Sequence, residues 1–265
     1  MTHIRTAENN GRLWGHSARN WADIQEGQFR AGFVAALDHL GVGAGTRLLD
    51  AGCGAGMAAA LANARGAQVC GVDAAEAMLA ITRERSPQGN FLVGDLEDLP
   101  FDDDAFDVVT GFNSFQFAGN PESALREAGR VTKPGGQIAV VTWGDPAGME
   151  AASLLIGVKS IMPPAPPEAP GPFALSDAGN LRAFVAAAGL QPADILDVDS
   201  PWFYPDEVTA LAGFLSSGAM AAAIEHSGLA TTEAACRAAI GPFAQADGSY
   251  AIGARCRILF AKVPS

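Results

Sequence analysis

The segment Leu48-Leu49-Asp50-Ala51-Gly52-Cys53-Gly54-Ala55-Gly56 constrains this chain more than any other. An apolar run breaks into closely spaced glycines, and an Ala- and Leu-rich stretch, Met57 to Arg65, follows at once. That pattern is a strand, then a turn that lets backbone approach a ligand, then a helix whose first N–H groups are free to meet it. Gly66 reads as the helix stop. A dinucleotide fingerprint, G-x-G-x-x-G, needs its third glycine at position 57, where Met57 stands instead. No Gly-Lys-Ser/Thr follows, so a Walker-type phosphate loop does not fit either.

Short β-type runs and helical patterns alternate from there on. Gln68 to Val72 reads as a second strand, with a helix from about Ala75 to Arg85 that Pro87 terminates. Phe91-Leu92-Val93, Phe106 to Thr110 and Gln137 to Thr142 read as three more strands. Pro121 to Val131 carries a first-turn proline and helical composition, and Lys133-Pro134-Gly135-Gly136 closes it. Strands joined by helical crossovers predict a mostly parallel sheet with helices on both faces. A further strand, Ala193 to Val198, is separated from a last one, Arg257 to Val263, by the Ala-rich helical stretch Asp206 to Phe243. Within that stretch Val208, Leu211, Phe214 and Leu215 suggest an apolar face, and its many small residues predict a mobile cover. Prolines 163, 164, 166, 167, 170 and 172 predict a stiff connector. The resulting division is a helical cover (1–45), a ligand-binding core (46–145), a Pro-rich connector and cap (146–180), the end of the core sheet (181–205 and 248–265) and a helical lid (206–247).

Composition narrows the partners. With 17 Lys+Arg against 29 Asp+Glu, the net charge is −12, and no basic run offers a surface to nucleic acid. A hydrophobic share of 49% with 17% charged residues is globular, not disordered. The longest apolar window, Ala151 to Met162, carries Lys159 and falls short of the roughly 20 residues a membrane span needs. The polar start lacks the apolar core of a secretory signal. Cys53, Cys70, Cys236 and Cys256 form no CxxC pair and sit near no histidine cluster, which predicts reduced thiols, no metal site and a cytoplasmic setting. A small-molecule partner is expected, and a homo-oligomer is left open.

Two acids extend the reading of the glycine loop. Asp73 ends the second strand, 21 residues after Gly52, where a carboxylate can accept from both hydroxyls of a ribose. Asp95 ends the third strand, followed by Leu96, where a carboxylate can receive an exocyclic amine between apolar walls such as Leu96 and Met78. Either acid alone reads as a turn or cap residue. Three features at three successive strand ends point to one ligand.

Taken in order, Leu49-Asp50-Ala51-Gly52-Cys53-Gly54-Ala55-Gly56, Gly71-Val72-Asp73, Gly94-Asp95-Leu96-Glu97-Asp98-Leu99-Pro100-Phe101, Phe106-Asp107-Val108-Val109 and Arg130-Val131-Thr132-Lys133-Pro134-Gly135-Gly136 resemble the successive motifs of class I S-adenosylmethionine-dependent methyltransferases. The nearest flavour is the small-molecule group that includes the quinone-biosynthesis C-methyltransferases. The resemblance spans about Gly41 to Trp143 and implies a Rossmann-like α/β fold of seven strands, the last antiparallel and supplied by Arg257 to Val263, with a helical lid. It implies a site for S-adenosylmethionine and its product S-adenosylhomocysteine built from Asp50, Ala51, Gly52, Cys53, Gly54, Asp73, Ala74, Met78, Asp95, Leu96, Phe112 and Asn113. It also implies that the N-terminal segment covers the cofactor.

Methyl transfer from a sulfonium is an in-line displacement that positioning and desolvation promote, and a base is needed only for a protonated nucleophile. No residue is therefore assigned as catalytic. The candidates outside the motifs are His16, Glu150, Tyr204 and His226, although His226 equally suits a helix C-terminus and His16 equally suits packing between Trp14 and Trp21. Trp143, Phe173, Trp202, Phe203, Tyr204 and Phe214 suggest an aromatic lining for an apolar or aromatic acceptor. The competing readings are a nicotinamide-dependent oxidoreductase, which the glycine spacing disfavours, and a non-catalytic protein that binds the cofactor or a metabolite.

Overall fold

The structure is a computed structural model and describes residues 6–164 and 171–265. Pro166, Pro167 and Pro170 of the expected connector lie outside the described residues. Five parallel strands come first: β1 (Arg47–Ala51), β2 (Gln68–Asp73), β3 (Asn90–Val93), β4 (Phe106–Phe112) and β5 (Thr132–Trp143). β6 (Gln191–Asp199) and, after β7 (Trp202–Tyr204) and β8 (Tyr250–Ile252), β9 (Arg255–Lys262) complete the set. The main sheet runs β3-β2-β1-β4-β5-β9-β6, with β9 antiparallel to both of its neighbours. A dinucleotide-binding sheet would place a sixth parallel strand beside β5 instead. The seven-stranded, mostly parallel sheet expected from the motifs is the one observed.

Strand periodicity divides the core between the two faces. Leu48, Val108 and Ile258 pack with α3 (Arg30–His39), α4 (Met57–Ala64) and α5 (Glu76–Arg85). Their chain neighbours Leu49, Val109 and Leu259 point the other way, toward α6 (Pro121–Val131) and α8 (Ala178–Ala187). Each such Leu or Ile contributes roughly 1.5–3 kcal/mol through burial, so a one-residue slip of register is strongly disfavoured. Helix starts follow their capping residues: Asn120 accepts from Ser123 N–H before α6, and Asp177 accepts from Asn180 N–H before α8. Lys133-Pro134-Gly135-Gly136 does not simply close α6. The ladder jumps from Phe106–Thr132 to Val108–Gln137, so these four residues bulge out of a β5 that has already begun.

β7 and β8 form a separate two-stranded ribbon, from which α9 (Glu207–Leu215), α10 (Gly218–Ser227) and α11 (Leu229–Ile240) extend. These helices are less sparse in buried apolar side chains than their composition suggests. Leu211, Phe214, Met220 and Ile240 join Phe29, Trp202, Tyr204 and Leu154 of α7 (Glu150–Gly157) in a third cluster. Val208, expected on the apolar face, is 78% exposed instead, one residue into a helix that Asp206 caps through Thr209 N–H. Among the described residues no single helix is long and apolar enough to cross a membrane.

Candidate functional site

The glycine loop after β1 is held by the end of β2. Gly52 and Cys53 donate their N–H groups to the Val72 carbonyl at 2.7 and 3.1 Å. Gly54 N–H donates to Asp73 Oδ2 at 2.8 Å, and Ala75 N–H donates to Asp73 Oδ1 at 2.9 Å. Asp73 is thus both a turn residue and the tether of the loop. Gly52 sits at φ +78°, and a Cβ there would lie 2.3 Å from Ser114 Cβ, so no larger residue fits. Ser114 Oγ in turn donates to the Ala51 carbonyl at 2.6 Å.

The helical run before the sheet adds a second layer. α1 (Ala7–Gly15) and the short α2 (Ala18–Asn20) lead into a π-helical turn, Trp21–Gln25, then a 3-10 turn, Glu26–Phe29. Glu26 is buried; its Oε1 accepts from Met57 N–H at 3.1 Å at the start of α4, and its carboxylate pairs with Arg85. Arg85 also donates to the Ala55 and Ala22 carbonyls at 2.9 and 2.7 Å, so one ion pair pins the N-terminal segment to the glycine loop. Burial raises the carboxyl of Glu26 above its ordinary range, against the Met57 N–H and the Arg85 charge that stabilise its ionised form. Burial likewise raises Asp73, against its backbone donors. Asp50 is pushed up to about 7, first by burial and then by the charges of Glu26 and Asp73, while Thr110 Oγ1 donates to it at 2.9 Å. Buried Glu26 and Asp50 and partly buried Asp73 create a field that favours a cation once they are ionised.

Beside these contacts lies one cavity of about 270 Å³. Gly52, Gly54, Asp73, Ala74, Met78, Asp95, Leu96, Phe112 and Asn113 line it. The structure therefore brings nine of the twelve expected cofactor residues to one wall. Asp50, Ala51 and Cys53, expected beside them, are not among its lining residues and lie buried beneath the loop, with Asp50 only 1% exposed. Burial holds the Cys53 thiol neutral. Asn113 takes a left-handed φ of +51°, a conformation asparagine tolerates, as the chain leaves β4.

None of the four catalytic candidates lines the cavity. His16 and His226 are exposed, and Glu150 is exposed and accepts from Gly253 N–H at 2.5 Å. Tyr204 is buried behind the wall, donating to Gln25 Oε1 at 2.7 Å. The tryptophans flanking His16, not His16 itself, reach the cavity. Of the six expected aromatics, Trp143, Trp202 and Phe214 line it; Phe173 packs on Trp143 at 6.5 Å, and Phe203 is 63% exposed.

The sequence reading missed Gln25, Glu26, Phe29 and Phe33, which all line the cavity. Trp21, Gln25, Phe29 and Phe33 recur every four residues, a helical stripe that was available as a signal. Phe29, Trp143 and Trp202 form a triangle of rings with centroids 5.3, 6.0 and 6.3 Å apart. Phe33 meets Phe112 edge-on at 4.7 Å. The cavity thus has an acidic, backbone-rich end at β1–β3 and an aromatic end beneath the ribbon.

The acidic end can be tested against a nucleoside cofactor on one atom. Asp95 Oδ1 accepts from Glu97 N–H at 3.0 Å, whereas Oδ2 is buried with no hydrogen-bond partner among the described residues. A buried acceptor of this kind calls for a donor from a ligand. An adenine amine supplies one, so the residues present fit the group.

A methyltransferase-domain family model matches residues 49–140. Malonyl-(acyl-carrier protein) O-methyltransferase of Erwinia pyrifoliae is 39% identical over 129 residues, covering 49% of this chain and 49% of that protein. Demethylmenaquinone methyltransferase of Renibacterium salmoninarum is 35% identical over 123 residues, covering 46% and 52%. The chain spans about half the length of these curated relatives. The crystal structure of the YcgJ protein of Bacillus subtilis superposes with a TM-score of 0.61 over 89% of this chain and 99% of that one, at 20% identity, a likeness of fold.

Proposed function

We propose that this chain, whose residues 49–140 are a methyltransferase domain and whose sheet has the strand order of class I S-adenosylmethionine-dependent methyltransferases, is an enzyme that methylates a small, apolar or aromatic metabolite. The observation that carries the reading is convergence: the glycine loop, Asp73 and Asp95, at three successive strand ends, line one cavity that continues into an aromatic chamber. When bound, S-adenosylmethionine supplies an electrophilic methyl group on a cationic sulfur. Gly52 and Gly54 leave room for its methionine part, Asp73 holds the ribose and Asp95 Oδ2 accepts from the adenine amine. The carboxylates of Glu26, Asp50 and Asp73 favour its positive charge.

The chain's own contribution at the acceptor is positioning and dryness. α1 and α10 roof the cavity: Asn10 and Trp14 come from α1, Ser217 and Ala219 from the start of α10, and Arg12 pairs with Glu225 across them. Closing a site over a charged donor excludes water and fixes the line of attack, effects worth up to roughly 7–11 kcal/mol. No Lys, Arg or His stands among the described lining residues. A neutral acceptor is accordingly favoured over a carboxylate or phosphate, whose desolvated charge would meet three acids. A cytoplasmic setting accords with four unpaired cysteines.

Calorimetry tests the cofactor. S-adenosylhomocysteine should bind at least tenfold more tightly than NAD, and comparable binding would overturn the reading. Formation of S-adenosylhomocysteine from S-adenosylmethionine with a panel of phenols and quinols separates an enzyme from a protein that only binds.

A further inference from the structure

Within the aromatic end, one polar side chain stands apart. Gln25 is 4% exposed, lines the cavity, and lies one turn from Phe29 on the same helical stripe. Its Oε1 accepts from the Tyr204 hydroxyl at 2.7 Å, and a Cβ on Gly213 would lie 3.0 Å from the same oxygen. A phenol is a better donor than acceptor, and turning the amide would leave the buried Tyr204 O–H without a partner. Tyr204 therefore fixes which way the amide faces. The Gln25 N–H2 donates no hydrogen bond to a described residue beside this contact, and the residue lines the cavity. A second donor, the indole N–H of Trp202, is buried in the same wall and likewise has no acceptor among the described residues.

We propose that Gln25, oriented by Tyr204, is the polar anchor of the acceptor chamber and donates to an oxygen of a neutral, flat, apolar substrate. The inference rests on the methyltransferase reading and adds what that reading leaves open: the substrate carries a carbonyl or comparable oxygen acceptor beside its ring. Phe29, Trp143 and Trp202 supply faces for the ring. A donor amide, with no described cation beside it, selects a neutral oxygen over a carboxylate. Tyr204 thereby acts through Gln25 as a positioning residue and not as a base. Burial raises its hydroxyl further above the ordinary value, which keeps it a donor at neutral pH.

The test compares two probes of equal shape, 2-acetylnaphthalene and 2-ethylnaphthalene, by calorimetry on protein saturated with S-adenosylhomocysteine and again without it. The native protein should favour the acetyl compound by roughly three- to tenfold, the range of one hydrogen bond in a buried site. Gln25→Met should bring the ratio to within about twofold of unity. Tyr204→Phe, which keeps the shape and frees the amide to turn, should give an intermediate ratio and decides the matter if Gln25→Met does not fold. A ratio of one in native protein, an unchanged ratio in both variants, or binding of neither probe overturns the proposal. Failure of S-adenosylhomocysteine to bind is a separate result: it would sink the methyltransferase reading while the probe ratio still reports on the chamber.

Discussion

The two ends of the cavity are built by different means. The acidic end is made of loops that directly follow β1, β2 and β3, so each residue lining it lies within a few residues of a strand that positions it. The aromatic end draws Phe29 from the N-terminal run, Trp143 from the end of β5, Trp202 from the ribbon and Phe214 from the insertion. A shared cofactor can be gripped by backbone and short motifs. The acceptor must be gripped by side chains that only the whole fold brings together. The first end tolerates almost no backbone change, whereas the second tolerates change in side chains and alters what is bound.

The largest expected effect breaks the acidic end alone. Gly52→Val forces a β-branched residue to a left-handed φ and against Ser114, for about 2–5 kcal/mol of strain and overpacking. S-adenosylhomocysteine affinity should fall more than hundredfold. In contrast, Trp202→Ala should leave that affinity within about threefold while abolishing probe binding, although it removes a buried ring worth about 3–5 kcal/mol of stability. Calorimetry and thermal melts of the pair check the division. If Trp202→Ala weakens the cofactor as much as Gly52→Val, the two ends are one site.

Asp73→Ala comes next. It removes the proposed ribose acceptor and also leaves Gly54 and Ala75 N–H without theirs. From the sequence, a ligand role alone would predict an apo melting temperature that barely moves. The tether changes that expectation: affinity should drop about ten- to hundredfold, and stability should fall by about 1–3 kcal/mol. A variant as stable as the native protein would show that the loop does not depend on its tether.

What was legible follows the same split. Leu48 and Leu49 alternate, glycines crowd after them, and Asp73 and Asp95 close their strands, all within local sequence. Asp50 was legible as a motif residue and not as a core residue, because its burial depends on Thr110 of the neighbouring strand β4, whose hydroxyl donates to it. Gln25 and Glu26 carry no motif; their partners Tyr204 and Arg85 are far away in the chain. The histidines drew attention by residue type, yet both are exposed, His16 in the turn after α1 and His226 in the last turn of α10. The bulge in β5 escaped notice because Pro134-Gly135-Gly136 reads as a full stop, and only pairing with β4 shows that the strand resumes.

A smaller effect concerns pH and again separates the ends. Asp50 is raised from 3.8 to about 7, chiefly by burial, so the folded apo protein holds a proton that the unfolded chain releases within that window. Apo stability should therefore fall as pH rises from about 4 toward 7. A cationic ligand acts oppositely, because it favours the ionised carboxylate. S-adenosylmethionine affinity should rise with pH up to about 7, at most about tenfold per unit, with protons released on binding. Calorimetry in two buffers of different ionisation heat measures that release. Asp50→Asn should reduce it, leaving the smaller share from Glu26 and Asp73, whose carboxyls are also raised, and probe binding at the aromatic end should stay independent of pH.

The smallest effect expected lies in the roof, where both ends are covered at once. Arg12 of α1 and Glu225 of α10 are each about half exposed, so their ion pair is worth roughly 0–1 kcal/mol. Packing contributes more: Trp14 touches α10 so closely that a Cβ on Gly218 would lie 2.8 Å from its indole. If α1 and α10 open together as one low-stability unit, Glu225→Gln should speed hydrogen exchange in both helices by up to about fivefold and leave β1 and β5 unchanged. Saturating S-adenosylhomocysteine at 100 times its Kd stabilises only closed forms, by about 2.7 kcal/mol, and should slow both helices together. The ligand need touch only the residues of α1 for this, because the shared opening transmits the protection to α10. Slowing confined to α1, or a variant that speeds one helix alone, would mean that the roof is two independent flaps and that closure over the acceptor is not coupled to the cofactor.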